Sequence, residues 1–231
     1  MRFQQFGHYF SQLLKRGVHL LGLDADTLAT LVFRGWSIIA GAVLIIFIPY
    51  WLTQIEQGYY YTFASLIALQ IFFELGMNQV IVQKVSQDFA HIQLSRDDKL
   101  HGPSDRLDRL SSLVSLLSRW YLVAAGIFAL SVSAGGAIFL AQTVVLPQSR
   151  WIGPWVALVV ATAVNLYLSF KLAVLEGCGE ISKVARLRFI QSLGGHCVMW
   201  IFLSLGFGLW SASVVPITAA IATTYWLGAE G

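Results

Sequence analysis

Long apolar runs recur along the whole 231-residue chain, and they restrict the fold more than any other feature of the sequence. Each run approaches the roughly 20 residues that an α-helix needs to cross a bilayer. Hydrophobic residues make up 57% of the chain and charged residues only 12%, which is unusual for a soluble domain. A soluble protein of this size has too little interior to bury about five helices that are apolar on every side. The sequence therefore predicts an all-α, polytopic membrane protein.

The apolar runs predict a transmembrane bundle of about six spans. The spans cover residues 28–53, 59–82, 112–144, 154–175, 187–210 and 212–228. The sixth is short for a span. Before the third span, Ser104 follows the chain-breaking residues 101–103 and is expected to begin a helix that runs directly into that span. We therefore divide the chain into an N-terminal segment, 1–26, and the bundle, 27–231.

The N-terminal segment is amphipathic and has neither the apolar core nor the cleavage site of a signal peptide. Its apolar residues recur at helical spacing, at Phe3, Phe6, Phe10, Leu13, Leu14, Val18 and Leu21. This pattern predicts an interfacial helix on the membrane surface, more readily an anchor than a lipid sensor.

Basic residues lie almost entirely on one side of the predicted bundle. Arg150 falls on the opposite side and Arg34 lies within the first span, which leaves thirteen of the fifteen Lys and Arg residues on the side of the N-terminus. This strong positive-inside bias predicts a cytoplasmic N-terminus. The net charge of +3 therefore reflects membrane topology, and we expect no nucleic-acid partner.

Two charged residues fall inside predicted spans: Arg34 in the first, and Glu74 in the second, within the stretch FFELGMN at 72–78. At 1.5 Å per residue they lie roughly 9 Å and roughly 12 Å from the cytoplasmic ends of their helices. A charge at mid-bilayer costs about 2.5–3.5 kcal/mol on insertion scales. We therefore expect an Arg34–Glu74 ion pair, which either fixes helix packing or takes part in binding or gating.

Three further cations lie near the cytoplasmic ends of later spans: Arg119, Lys171 and Arg188. Together with Arg34 and Glu74 they form a predicted headgroup cavity with a cationic mouth. Guanidinium groups match the geometry of phosphate oxygens, so such a cavity suits a phosphate or pyrophosphate group. The alternative is that the three cations extend to lipid phosphates at the membrane surface.

Other polar residues inside the spans have two interpretations. Asn165, Gln191 and His196 either line a polar path or make hydrogen bonds that join helices, with His196 better suited to packing than to proton relay. The glycine pairs 135–136 and 194–195 are expected to permit close helix contact. Cys178 and Cys197 show no disulfide or metal-ligand spacing, and no phosphate loop or catalytic triad is present. We expect no enzyme, no metal and no cofactor.

Residues 57–87, QGYYYTFASLIALQIFFELGMNQVIVQKVSQ, resemble the signature region of bacterial polysaccharide (O-antigen type) lipid flippases. These belong to a superfamily that includes multidrug and peptidoglycan-precursor exporters. Its members typically show a glycine-tyrosine turn, an aromatic second helix and an acidic-leucine-glycine step followed by a basic residue. The matching residues are Gly58-Tyr59, Phe72-Phe73, Glu74-Leu75-Gly76 and Lys84. A second similar stretch runs from Val174-Leu175-Glu176-Gly177 to Arg186-Leu187-Arg188.

The resemblance implies alternating-access transport of a saccharide on a polyprenyl pyrophosphate carrier across the bacterial cytoplasmic (inner) membrane, as in lipopolysaccharide synthesis. The implied partners are the lipid-linked oligosaccharide and membrane lipids. Family members usually have two lobes of about six helices, so this chain corresponds to the N-terminal lobe. We expect an incomplete chain, a half-size unit that pairs with a second lobe or with itself, or the product of a pseudogene.

Two alternative functions remain. One is a non-transporting membrane scaffold of an envelope-polysaccharide assembly, which would bind partner helices in its apolar grooves. The other is a drug-exporting relative within the same superfamily.

Overall fold

The computed structural model describes residues 25–74, 76–89, 93–94, 100–101, 104–142 and 146–230. Within these residues the α-helices are α1 (Ala25–Trp51), α2 (Gln54–Ile67), α3 (Gln70–Glu74), α4 (Met77–Phe89), α5 (Ser104–Gln142), α6 (Gln148–Gly177), α7 (Ile181–Ser204) and α8 (Ser211–Glu230). A 3-10 helix, Gly208–Trp210, precedes α8, and the two-residue strands β1 (Gln93–Leu94) and β2 (Leu100–His101) pair antiparallel. The predicted interfacial segment 1–26 lies almost wholly outside the described residues.

The all-α class is confirmed, and five helical segments are long and apolar enough to cross a membrane. They are Arg34–Trp51, Gln54–Phe89, Ser111–Gln142, Gln148–Gly177 and Gly208–Ala229. They correspond to the first, second, third, fourth and sixth predicted spans. The predicted start of α5 at Ser104 is also confirmed, because one helix of 39 residues runs from Ser104 through the third span.

The fifth predicted span, 187–210, differs from the structure in its bounds and in its apolar character. The helix α7 covers Ile181–Ser204 and is not one of the five segments, because Arg188, Gln191 and His196 dilute its apolar residues. It stops before Gly206, whose φ of 78° is a left-handed conformation that interrupts a right-handed helix. Residues 208–210 belong instead to the 3-10 helix that leads into α8.

The second predicted span, 59–82, is not one continuous helix. The helix α2 ends at Ile67, α3 is a single short segment ending at Glu74, and α4 begins at Met77. Gly76, between α3 and α4, has a φ of 69°, which a residue with a Cβ atom adopts only with strain. The stretch FFELGMN therefore marks a break in the helix, at the position of the intramembrane carboxylate.

The core is built around α6, which contacts α4, α5 and α8, while α1 packs along α7 and α7 along α8. Large buried side chains repeat at helical spacing on α6, at Trp151, Trp155, Val159, Leu166 and Phe170. The Trp155 ring packs against Phe63 of α2, with ring centroids 5.1 Å apart. The helix α6 thus positions the broken span on one side and α7 and α8 on the other.

Glycine allows two of these helix contacts to be close. A Cβ atom on Gly136 of α5 would lie 2.2 Å from the Trp155 ring, and one on Gly195 of α7 would lie 2.9 Å from Thr218 Oγ1 of α8. The expectation of close helix packing is confirmed at these two positions. The neighbouring Gly135 and Gly194 have no atom within 4 Å of such a Cβ position.

Candidate functional site

Polar side chains from three helices meet at the break in the second span. Asn78, in the first turn of α4, accepts a hydrogen bond at Oδ1 from the Tyr121 hydroxyl of α5, at 2.8 Å. The same oxygen accepts a second, longer bond of 3.4 Å from Ser169 of α6. Backbone breaks at membrane depth are tolerated where they pack on protein or line a water-filled cavity. Gly76 at this break is exposed, and Asn78, two residues later, joins α4 to α5 and α6.

An ion pair lies roughly 10 Å farther along α6 from this hydrogen-bonded group. Arg188 Nη2 of α7 lies 2.9 Å from Glu176 Oε1, near the end of α6. Glu74, the last residue of α3, is partly buried at the edge of the break. We call the six residues Glu74, Asn78, Tyr121, Ser169, Glu176 and Arg188 the break cluster.

The expected Arg34–Glu74 ion pair is not formed. Within the described part of the chain, no basic nitrogen lies within 4.0 Å of the Glu74 carboxylate, and Arg34 is exposed on α1. The reason is the order of helices in space: α1 packs against α7, whereas α4 packs against α6. Helices that are neighbours in sequence are separated here, so similar depth does not bring the two charges together.

The predicted cationic mouth does not form as a ring either, because its members project to different places. Lys171 Nζ lies over the Tyr167 ring of its own helix, 5.4 Å from the centroid. Arg119 is exposed and lines a hollow of about 400 Å³ with Ser111, Ser112, Ser115 and Leu116 of α5. Arg188 pairs with Glu176, at 2.9 Å.

The three residues of the predicted polar path make hydrogen bonds within the bundle. Asn165 Nδ2 donates to the Pro216 carbonyl of α8 at 2.7 Å, and Gln191 Nε2 donates to Thr223 Oγ1 of α8 at 2.5 Å. His196 Nδ1 lies 2.6 Å from the Ser192 carbonyl of its own helix. Asn165 and Gln191 thus make the helix-joining bonds that were the alternative interpretation.

A second ion pair lies at the other end of α6, and the sequence reasoning missed it. Glu56 is 8% exposed, and its Oε1 lies 3.2 Å from Arg150 Nη2. Its Oε2 accepts bonds from the Thr53 backbone N–H at 3.1 Å and hydroxyl at 3.0 Å. The signal was present as Thr-x-x-Glu at 53–56, a capping-box pattern at the start of α2.

The break cluster combines two features that mark substrate or ion pathways in membrane proteins, a discontinuous helix and an intramembrane carboxylate, with the Arg188–Glu176 ion pair farther along α6. Among the described residues, no group of three His, Cys, Asp or Glu side chains is placed to hold a metal ion. No protein-family model, no curated protein and no solved structure matches the chain.

Proposed function

We propose that this chain translocates a saccharide linked to polyprenyl pyrophosphate from the inner to the outer leaflet of the bacterial cytoplasmic membrane. The observation that carries the proposal is the break between Glu74 and Met77, inside a hydrophobic segment, with the carboxylate of Glu74 at its edge. The protein acts as a transporter and catalyses no reaction. It functions together with a second lobe or with a second copy of this chain.

The break supports a transporter over a scaffold on energetic grounds. A continuous apolar helix fills a span without exposing polar groups, whereas a break and an ionisable side chain each cost free energy in a membrane. A scaffold that binds partner helices through apolar grooves has no use for either feature. A transporter uses them, because broken helices present charged and polar groups to a substrate near the middle of the membrane.

The chemistry of the break cluster supports an anionic headgroup as the part of the substrate that the protein holds. Arg188 offers a planar set of N–H donors that fits phosphate oxygens, and its side chain is 43% exposed. The Ser169 hydroxyl and the Asn78 amide supply further polar groups, roughly 10 Å from Glu176 along α6. The saccharide and the polyprenyl chain are proposed because residues 57–87, which contain the break, resemble the signature region of polysaccharide lipid flippases.

The test follows export of a surface glycan in cells that lack the gene and carry single variants of it. We expect Arg188→Gln and Glu74→Gln to reduce surface glycan at least about tenfold, equivalent to about 1.4 kcal/mol, at normal protein levels. The lipid-linked saccharide should accumulate on the cytoplasmic leaflet. The matched control is Lys183→Gln, which removes an exposed cation paired with Glu180 at 3.2 Å.

Two results would contradict the proposal. If both variants export normally, the break cluster has no part in transport. If cells that lack the gene accumulate no lipid-linked saccharide, a scaffold or a drug exporter becomes the better explanation.

A further inference from the structure

The pair between Arg188 and Glu176 closes the hairpin of α6 and α7. Glu176 is the second-last residue of α6, and Arg188 lies two turns into α7. The turn between them is stabilised by its own backbone bonds, from Gly179 N–H to the Glu176 carbonyl and from Glu180 N–H to the Leu175 carbonyl, both 3.1 Å. Gly179 adopts a φ of 91° there. The turn therefore holds its shape without the ion pair.

The two carboxylates near Arg188 lie at different depths in the bundle. The helices α4 and α6 run side by side in the same direction, since Asn78 contacts Ser169 and Val85 lies against Gly177. These two contacts are separated by seven to eight residues, or roughly 10–12 Å along the helices. Glu176 lies beside the second contact and pairs with Arg188 there, whereas Glu74 lies beyond the first contact.

We propose that Arg188 is the residue that binds the diphosphate group, and that Glu176 is its resident counter-ion, which a diphosphate must displace. The inference rests on the proposed function for the source of the diphosphate. A carboxylate oxygen 2.9 Å from Nη2 occupies the position that a phosphate oxygen takes on a guanidinium, and both bind through the same N–H donors. Glu176 is thus a built-in competitor for the site.

The local charge explains why the displacement is necessary. With Glu176 in place, its carboxylate occupies the N–H donors of Arg188, and its negative charge repels a further anion. When Glu176 rotates away, Arg188 is free to take a diphosphate, and Glu74 still weakens that binding from the deeper side. The exchange requires side-chain rotation alone, because the backbone bonds of the turn do not involve either side chain.

The test measures binding of inorganic pyrophosphate, and separately of a polyprenyl diphosphate, to the purified full chain in lipid nanodiscs by calorimetry. We expect Glu176→Gln to tighten pyrophosphate binding at least about tenfold and Glu74→Gln to tighten it by a smaller factor. Arg188→Gln should weaken it at least about tenfold. The matched control is Glu180→Gln, four residues from Glu176, whose carboxylate pairs with Lys183; it should leave the affinity unchanged.

Unchanged affinity in Glu176→Gln, retained binding in Arg188→Gln, or no binding of either ligand overturns the inference. Where Arg188→Gln does not fold, Arg188→Lys keeps the charge but loses the planar donors, and it should bind more weakly than the parent. Equal changes in the affinity for both ligands show that the site recognises the diphosphate alone. A change in the affinity for polyprenyl diphosphate without a change for inorganic pyrophosphate assigns part of the recognition to the polyprenyl chain. Normal glycan export in variants with shifted pyrophosphate affinity contradicts the proposed function and leaves the diphosphate site in place.

Discussion

Glu56 and Arg150 differ sharply in what each contributes to the same ion pair. The Glu56 side chain is 11% exposed and accepts two bonds from Thr53, whereas the Arg150 side chain is 64% exposed. Water screens an exposed guanidinium, so the attraction between the two charges is small. The carboxylate matters mainly through the capping box at the start of α2, which satisfies backbone N–H groups that the helix itself leaves unpaired.

Replacement of each partner by alanine separates these contributions. We expect Glu56→Ala to lower the free energy of unfolding by about 1–2 kcal/mol, since it removes the capping box and both hydrogen bonds that the carboxylate accepts from Thr53. Arg150→Ala should lower it by less than about 1 kcal/mol. The measurement is denaturant-induced unfolding of the purified protein in mixed micelles. A larger effect of Arg150→Ala than of Glu56→Ala would show that the ion pair outweighs the cap.

The charged residues of the break cluster show which parts of a site are visible in a sequence. Glu74 was identified from the sequence because a carboxylate in an apolar run is a local anomaly. The sequence predicts Glu74 and Arg188 in one headgroup cavity, but with Arg34 as the partner of Glu74. That pairing is wrong because it depends on which helices touch, and α1 packs on α7 rather than on α3 or α4. The sequence assigns no partner to Glu176, whose carboxylate lies 2.9 Å from the Arg188 guanidinium.

At the scale of helices, the contact between α5 and α6 depends on the absence of one side chain. Gly136 faces Trp155, which is fully buried and donates from its indole Nε1 to the Ser133 carbonyl at 3.3 Å. The ring therefore has neither the space nor the freedom to retreat. Adjacent Gly135 is exposed and faces no atom within 4 Å, which makes it a matched control in the same helix.

We expect Gly136→Ala to destabilise the protein by about 1–3 kcal/mol, because its Cβ atom would lie 2.2 Å from the Trp155 ring. Gly135→Ala should be neutral, or stabilising by up to about 1 kcal/mol, through helix propensity alone. The same unfolding assay measures both variants. Equal effects at the two positions would mean that the contact between α5 and α6 accommodates the added methyl group without a loss of stability.

The helices also show where sequence patterns stop being informative. The start of α5 at Ser104 was predicted because a helix start depends on a few adjacent residues. The break at Gly76 was not, since a single glycine in an apolar run is compatible with a continuous helix as well as with an interruption. The left-handed conformation of Gly76 is a property of the folded chain, in which α4 packs on α6.

At the scale of the whole molecule, ion pairs join α6 to a neighbouring helix near each of its ends. Arg150 pairs with Glu56 of α2, and Glu176 pairs with Arg188 of α7. The two pairs are separated by almost the full length of a helix that is apolar enough to cross a membrane. They therefore lie near opposite faces of a bilayer that surrounds α6.

The distribution of basic residues predicts which face is which. In a variant with Cys178→Ala and Cys197→Ala, we expect Ser149→Cys to react with a membrane-impermeant maleimide in intact cells. Lys183→Cys should react only after lysis, because a cytoplasmic N-terminus places the turn between α6 and α7 inside. Both native residues are exposed, so accessibility within the fold does not limit labelling. The reverse pattern would place the N-terminus outside.

The pair between Glu56 and Arg150 joins positions 94 residues apart in sequence, and this separation has a consequence for synthesis. A ribosome adds about 5–20 residues per second, so Glu56 emerges roughly 5–20 s before its cationic partner. During that interval a carboxylate at the end of a nascent membrane helix has no arginine beside it. Thr53 needs no later residue to donate its two hydrogen bonds, so it serves the carboxylate from the moment α2 is made.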